Sequence, residues 1–161
     1  MPLTLYLLRH ADALDKSNNQ TDLERQLSVR GIKEAEGVGI FLKEKKIYLS
    51  RLLFSHAVRA HQTAHIIANK IELPVDKLQL NQSIYHLNMD GIIQVIRELS
   101  NVDFQVALVG HNPTISALAN ALSNQPIEYF STATIACFTF KFNEWSNIKF
   151  KAGDLTFIKS P

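Results

Sequence analysis

The chain has 161 residues, 46% of them hydrophobic and 20% charged, which suits one globular domain, 1–161, with a sizeable core. Seventeen basic residues against 15 acidic ones leave a formal charge of +2, and no basic run exceeds Lys45-Lys46; this argues against a nucleic-acid binder and permits a local cationic pocket for an anion. The single cysteine, Cys137, cannot form an internal disulfide. No apolar stretch approaches the roughly 18 residues of a membrane span, and Met1-Pro2-Leu3-Thr4 lacks a secretory pattern, so the expected compartment is the cytoplasm.

Residues 3–8 are an apolar run without helical period that meets charge abruptly at Arg9, the pattern of a buried first strand. A polar, mobile loop is expected over 15–22. Ser28 can cap a helix whose apolar positions Ile32, Ala35, Val38, Phe41 and Leu42 recur at helical spacing up to Lys45. A second strand is predicted over 48–55 and a helix over 57–71, stopped by Leu73-Pro74. Residues 78–80 are too short to assign. Asn88 is placed to cap a helix carrying Ile92, Ile93, Val95, Ile96 and Leu99. Residues 104–109 form the next buried strand, ending at Gly110-His111-Asn112-Pro113, with Asn112 expected as N-cap and Pro113 as first residue of a helix over 114–122. The tail alternates β-formers over 135–142 and 148–158 around a turn at 143–147, which predicts antiparallel strands, with Cys137 a buried strand residue. Alternating strands and helices imply an α/β fold, three-layer α/β/α, with a mostly parallel central sheet and antiparallel C-terminal strands. Ligands in such folds bind at the carboxyl ends of the parallel strands.

Three of those strand ends carry basic or imidazole side chains: Arg9-His10, Ser55 to Arg59, and Gly110-His111. Guanidiniums present rigid forks matched to phosphate oxygens, and an imidazole nitrogen can attack phosphorus or donate to oxygen, so the three segments together describe a dianion site. His61 and His65 share a helix face but lack companion ligands, and no metal is expected.

The same segments resemble the histidine phosphatase superfamily, also called phosphoglycerate mutase-like. The family's Arg-His-Gly/Ala stands as Arg9-His10-Ala11. Its serine followed by Arg-Ala-x-Gln-Thr-Ala stands as Ser55 and Arg59-Ala60-His61-Gln62-Thr63-Ala64, and its Gly-His-x-Pro as Gly110-His111-Asn112-Pro113. The short length and the stretch Asp22-Leu23-Glu24-Arg25-Gln26-Leu27-Ser28-Val29-Arg30-Gly31 are similar to the SixA-type phosphohistidine phosphatases, with Gln26 where a proline is usual and His56 where a proline commonly follows the serine.

The resemblance implies a cofactor-free phosphatase in which His10 is the covalent phosphoryl acceptor, with Arg9, Arg59 and His111 as catalytic residues that bind the transferring group. For His10 it implies a neutral ring, one nitrogen held by a backbone carbonyl and the other free to attack. Arg25 and Asn112 are further substrate-binding candidates, Asn112 through the helix start it caps. Many relatives place a glutamate between the second and third signatures as proton donor to the leaving oxygen. Residues 77–88 contain no carboxylate after Lys77, and His86 or Asp90 are the possible substitutes. An alkoxide needs that proton, whereas a leaving imidazole is already a stable neutral molecule. The expected substrate is therefore a phosphorylated protein, a histidine phosphotransfer domain or carrier. The alternatives are a broad phosphomonoesterase for small metabolites and a non-catalytic phosphate-recognition module.

Overall fold

The apolar run at the start of the chain is β1 (Thr4–Arg9), the centre of a six-stranded sheet. The computed structural model describes residues 1–161. Along the chain follow α1 (Val29–Glu44), β2 (Arg51–Phe54), α2 (Val58–Ile71), β3 (Leu78–Leu80), the one-turn α3 (Ser83–His86), α4 (Met89–Arg97), β4 (Gln105–Gly110), α5 (Thr114–Leu122), β5 (Ile135–Thr139) and β6 (Asp154–Lys159). The sheet order is β3-β2-β4-β1-β5-β6. The first four strands in that order run parallel, and β5 is antiparallel to both β1 and β6, which is the architecture predicted above. No helix is long and apolar enough to cross a membrane.

Because the central strands are covered on both faces, alternate residues of one strand enter different cores. Leu5, Leu7, Leu53, Val106 and Leu108 pack beneath α4 and α5 with Ile92, Ile96, Ile115 and Leu118. Tyr6, Leu8, Leu52, Phe54, Ala107 and Val109 pack beneath α1 and α2 with Ala35, Leu42, Ala60 and Ile67. Each fully buried leucine or isoleucine contributes roughly 1.5–3 kcal/mol, so these two layers anchor the strand ends on which the site is built.

The predicted caps form. Ser28 Oγ accepts the Gly31 N–H at 3.0 Å and Asn88 Oδ1 accepts the Gly91 N–H at 3.0 Å. Gly31 serves a second purpose, because a Cβ there would lie 1.9 Å from the Asp12 carbonyl oxygen. Only a hydrogen lets the first turn of α1 press against the segment that leaves β1.

Four boundaries differ from the sequence expectation. Residues 78–80, unassignable alone, pair with β2 through Leu52↔Leu78 and become the edge strand β3. The second strand shrinks from 48–55 to Arg51–Phe54. The tail strands shrink to Ile135–Thr139 and Asp154–Lys159, because Phe140, Trp145 and Ile148 leave the ladder to complete the core under α4. Trp145 is fully buried and its indole N–H donates to the Asp103 carbonyl at 2.6 Å. Helix α5 starts one residue later than expected, with Pro113 as N-cap after a cis Asn112–Pro113 peptide. Asn112 thus stands just outside the helix, though its Oδ1 still accepts from the Ser116 N–H at 3.3 Å.

Candidate active site

Three adjacent parallel strands, β2, β4 and β1, end side by side, and the residues that follow them are Ser55, His111 and His10. Arg59, two residues into α2, comes back over the same point. Neighbouring strand ends thus bring together groups that lie about a hundred residues apart in the chain.

His10 is 7% exposed and forms the floor. Its Nδ1 lies 2.8 Å from the Ala11 carbonyl oxygen, so Nδ1 carries the proton and donates. Nε2 is left as an acceptor and receives the Arg59 Nε–H at 3.3 Å. Burial, reinforced by Arg59 and Arg9 and opposed by the Ala11 bond, pushes the His10 pKa down to about 4. The geometry matches the expected tautomer, and the lowered pKa favours the neutral ring. The Ala11 peptide is itself clamped: its N–H donates to Thr63 Oγ1 at 3.1 Å, and that hydroxyl donates to the Arg59 carbonyl at 2.7 Å.

The His111 ring lies 5.2 Å from that of His10. Its Nε2 is 2.6 Å from Ser55 Oγ, and its Nδ1 faces Arg59 Nη2 at 3.4 Å. Burial, then the neighbouring His10 and Arg59, push its pKa down to about 3. Arg9 donates through Nη1 to the Phe130 carbonyl at 3.0 Å, and its buried Nε has no partner. Asn112 Nδ2 donates to the same carbonyl at 2.8 Å, and the Phe130 N–H donates to Ser116 Oγ at 2.9 Å. Asn112 therefore fixes the peptide that fixes Arg9.

Asp22, which sequence reasoning missed, meets Arg59 from the loop before α1. Arg59 Nη1 donates to the Asp22 carbonyl at 2.8 Å and Nη2 to its Oδ2 at 3.0 Å. Tyr85 Oη donates to the same Oδ2 at 2.5 Å, and Arg25 Nη1 reaches Oδ1 at 3.2 Å. Tyr85, then Arg59 and Arg25, hold the Asp22 carboxyl well below the usual carboxylate range despite partial desolvation. Arg25 is further fixed by donating from Nε to the Leu14 carbonyl at 2.8 Å. Arg9, His10, Asp12, Ala13, Asp22, Arg25, Arg59, His111, Asn112 and Thr132 line one open hollow of about 350 Å³. Three guanidiniums and two carboxylates leave it cationic.

The structure thus brings together all six residues proposed from the sequence, Arg9, His10, Arg25, Arg59, His111 and Asn112. It does not bring in Asp90, which lies in the first turn of α4 and lines a separate hollow with Ile93, Arg97, Lys149 and Phe150. Nor does the His86 ring line the site; it packs edge-on against Tyr85 at 4.8 Å, beside His56 at 6.2 Å. The His61 and His65 rings lie 4.2 Å apart, tilted, beside Phe54, and neither lines the hollow. Tyr85 occupies the segment scanned for a carboxylate; a search for hydroxyls as well as acids would have found it. Asp22 carries no local signal beyond its spacing of three from Arg25.

With this geometry established, comparison with known proteins identifies its class. The profile of the histidine phosphatase superfamily (branch 1) matches residues 5–80. The chain is 33% identical over 102 residues to an uncharacterised protein of Mycobacterium leprae, covering 63% of this chain and spanning 60% of that protein's length. It is 26% identical over 140 residues to the phosphohistidine phosphatase SixA of Escherichia coli, covering 85% of each chain. The structure of the protein histidine phosphatase SixA complexed with tungstate superimposes with a TM-score of 0.83 at 22% identity, over 98% of this chain and 97% of the other. The chain belongs to the histidine phosphatase superfamily. Its fold is the phosphoglycerate mutase-like α/β fold of the SixA structures.

Proposed function

We propose that this protein is a phosphatase that passes a phosphoryl group through a covalent phosphohistidine on His10, and that the group it removes is itself carried on a histidine of a phosphotransfer domain or carrier. Nε2 of His10, unprotonated and at the pocket floor, attacks phosphorus in line. Arg9, together with Arg59 and His111, neutralises the equatorial oxygens, where a loose phosphoryl-transfer transition state concentrates its charge. Arg25 acts through Asp22, and Asn112 acts by fixing Arg9 through the Phe130 carbonyl. Water then hydrolyses the phosphohistidine enzyme. Each direct contact is worth on the order of 10²-fold in rate, by analogy with an oxyanion-hole donor.

One observation carries the choice of a phosphorylated nitrogen over an ester: Asp22, the carboxylate bonded to the same Arg59 that reaches His10, accepts from Tyr85, Arg59 and Arg25, which favours its ionised form and makes it a poor acid for a departing alkoxide. Supporting this reading are the similarity to a named phosphohistidine phosphatase and the tungstate, a tetrahedral oxyanion, bound by a protein of the same fold. The test is to incubate the wild-type protein and His10→Ala with a phosphohistidine-bearing protein, p-nitrophenyl phosphate and several sugar phosphates. The phosphohistidine protein is dephosphorylated in preference to the sugar phosphates, and His10→Ala is inert. Sugar-phosphate turnover matching that of phosphohistidine would refute the substrate assignment, and activity in His10→Ala would refute the mechanism.

A further inference from the structure

The ionised Asp22 is unsuited to give a proton, yet it stands where a leaving group must pass. His10 is buried at the floor, so in-line displacement puts the departing atom on the solvent side of phosphorus. The Asp22 side chain, 45% exposed, occupies that side of the hollow, one guanidinium away from His10. Arg59 divides its donors accordingly. Nε and Nη2 face the two imidazoles, while Nη1 and Nη2 hold the backbone carbonyl and the carboxylate of Asp22. A carboxylate has about four acceptor positions; Tyr85 and Arg59 use two on Oδ2, and Arg25 uses one on Oδ1. One position on Oδ1 remains.

We infer that this remaining Oδ1 position accepts the ring N–H of the substrate's own phosphohistidine, making Asp22 the residue that selects a phosphoimidazole in its protonated form. The inference rests on the phosphohistidine reading above and adds the contact that recognises the leaving ring. The atoms balance without an acid. A P–N bond forms to His10 Nε2, the substrate P–N bond breaks, and its electron pair returns to the leaving nitrogen. Because the other ring nitrogen keeps its proton, neutral imidazole departs. An unprotonated ring would instead leave as an anion, a far worse leaving group. A fixed carboxylate beside that N–H favours the cationic ring, as an acceptor aspartate does for any imidazolium. The charged and titratable groups facing Asp22 are Arg25 from its own loop, Arg59 from α2, Tyr85 from α3, and His111 at the end of β4. The arginines stay charged throughout the neutral range, and burial and its neighbours keep His111 neutral there, so the leaving ring is the group whose protonation changes.

The experiment compares wild type with Asp22→Asn on 1-phosphoimidazole and p-nitrophenyl phosphate between pH 6 and 9. Nitrophenolate leaves without a proton and carries no ring N–H, so it reports only on phosphoryl binding. Asp22→Asn is expected to lower kcat for phosphoimidazole roughly 10–100-fold at pH 8, the loss of one hydrogen bond to a charged group, with the basic limb of its kcat profile moved to lower pH. Turnover of p-nitrophenyl phosphate falls as well, because Asp22 also holds Arg59 and Arg25, so the readout is the ratio: phosphoimidazole is expected to lose roughly tenfold more than p-nitrophenyl phosphate. Equal losses on both substrates, or an unmoved basic limb, would overturn the inference and leave Asp22 as a brace for Arg59. A wild-type enzyme that hydrolyses p-nitrophenyl phosphate but not phosphoimidazole would overturn the phosphohistidine reading itself, a separate result.

Discussion

Thr63→Val removes one oxygen and leaves side-chain volume unchanged, which isolates the clamp behind His10. Thr63 is fully buried; its hydroxyl accepts the Ala11 N–H at 3.1 Å and donates to the Arg59 carbonyl at 2.7 Å. The Arg59 carbonyl, inside α2, keeps its helical partner after the substitution. The Ala11 N–H does not, and a buried amide left without an acceptor costs about 1–3 kcal/mol. For a domain of this size each kcal/mol lowers Tm by about 2–4 °C, so a fall of roughly 2–12 °C is expected by calorimetry. The carbonyl of the same residue fixes the His10 tautomer, so on the proposed mechanism kcat should fall about tenfold with KM nearly unchanged, a misplacement confined to the His10 ring. Thr63→Ser, which keeps the oxygen, should retain most of the activity. A Thr63→Val protein with wild-type Tm and kcat would refute the clamp, and equal losses in Thr63→Ser would trace the effect to the methyl group instead.

His10 and His111 are both held below the 6.5 of an exposed histidine, at about 4 and about 3. The unfolded chain therefore takes up protons first as the pH drops. Stability from this source is complete above pH 6.5 and is lost as the pH falls toward those lower values, by at most ~3 kcal/mol per pH unit for two groups. Urea titrations at pH 7, 6 and 5 should show this slope, and His10→Gln should flatten it; an equally steep slope in His10→Gln would contradict it. kcat/KM should hold down to about pH 5 and fall as His10 protonates near 4. Gly31→Ala drives a Cβ to within 1.9 Å of the Asp12 carbonyl, and should cost about 2 kcal/mol or more in urea unfolding while reducing activity through the displaced loop. Gly37→Ala, on the exposed face of the same helix with nothing within 4 Å of its new Cβ, should instead stabilise by about 0.5–1 kcal/mol.

Much of this molecule is legible in the chain because the signals are local. The apolar runs before Arg9 and His111, and the caps Ser28 and Asn88, rest on periodicity and on backbone N–H groups a few residues away. The strand-end positions of Arg9, His10, Arg59 and His111 follow from the same patterns, since parallel strands of one sheet must end on one side. The tail was less legible. Its alternating β-formers predict long strands, yet Trp145 and Ile148 gain more by closing the core under α4 than by extending the ladder. Residues 78–80 carried too little pattern to be read without their partner β2.

Composition and motif were enough to determine the α/β class and which basic and imidazole groups gather at the strand ends, because those depend on which residues follow which strands. Only the tertiary structure decided which carboxylate joins them. Asp90, placed by sequence between the second and third signatures, lies elsewhere, while Asp22, from a loop before α1, sits between Arg59, Arg25 and Tyr85. Such a meeting depends on how α1, α2 and α3 pack around the strand ends. Whether that carboxylate is ionised depends on three partners that are neighbours in space and not in sequence.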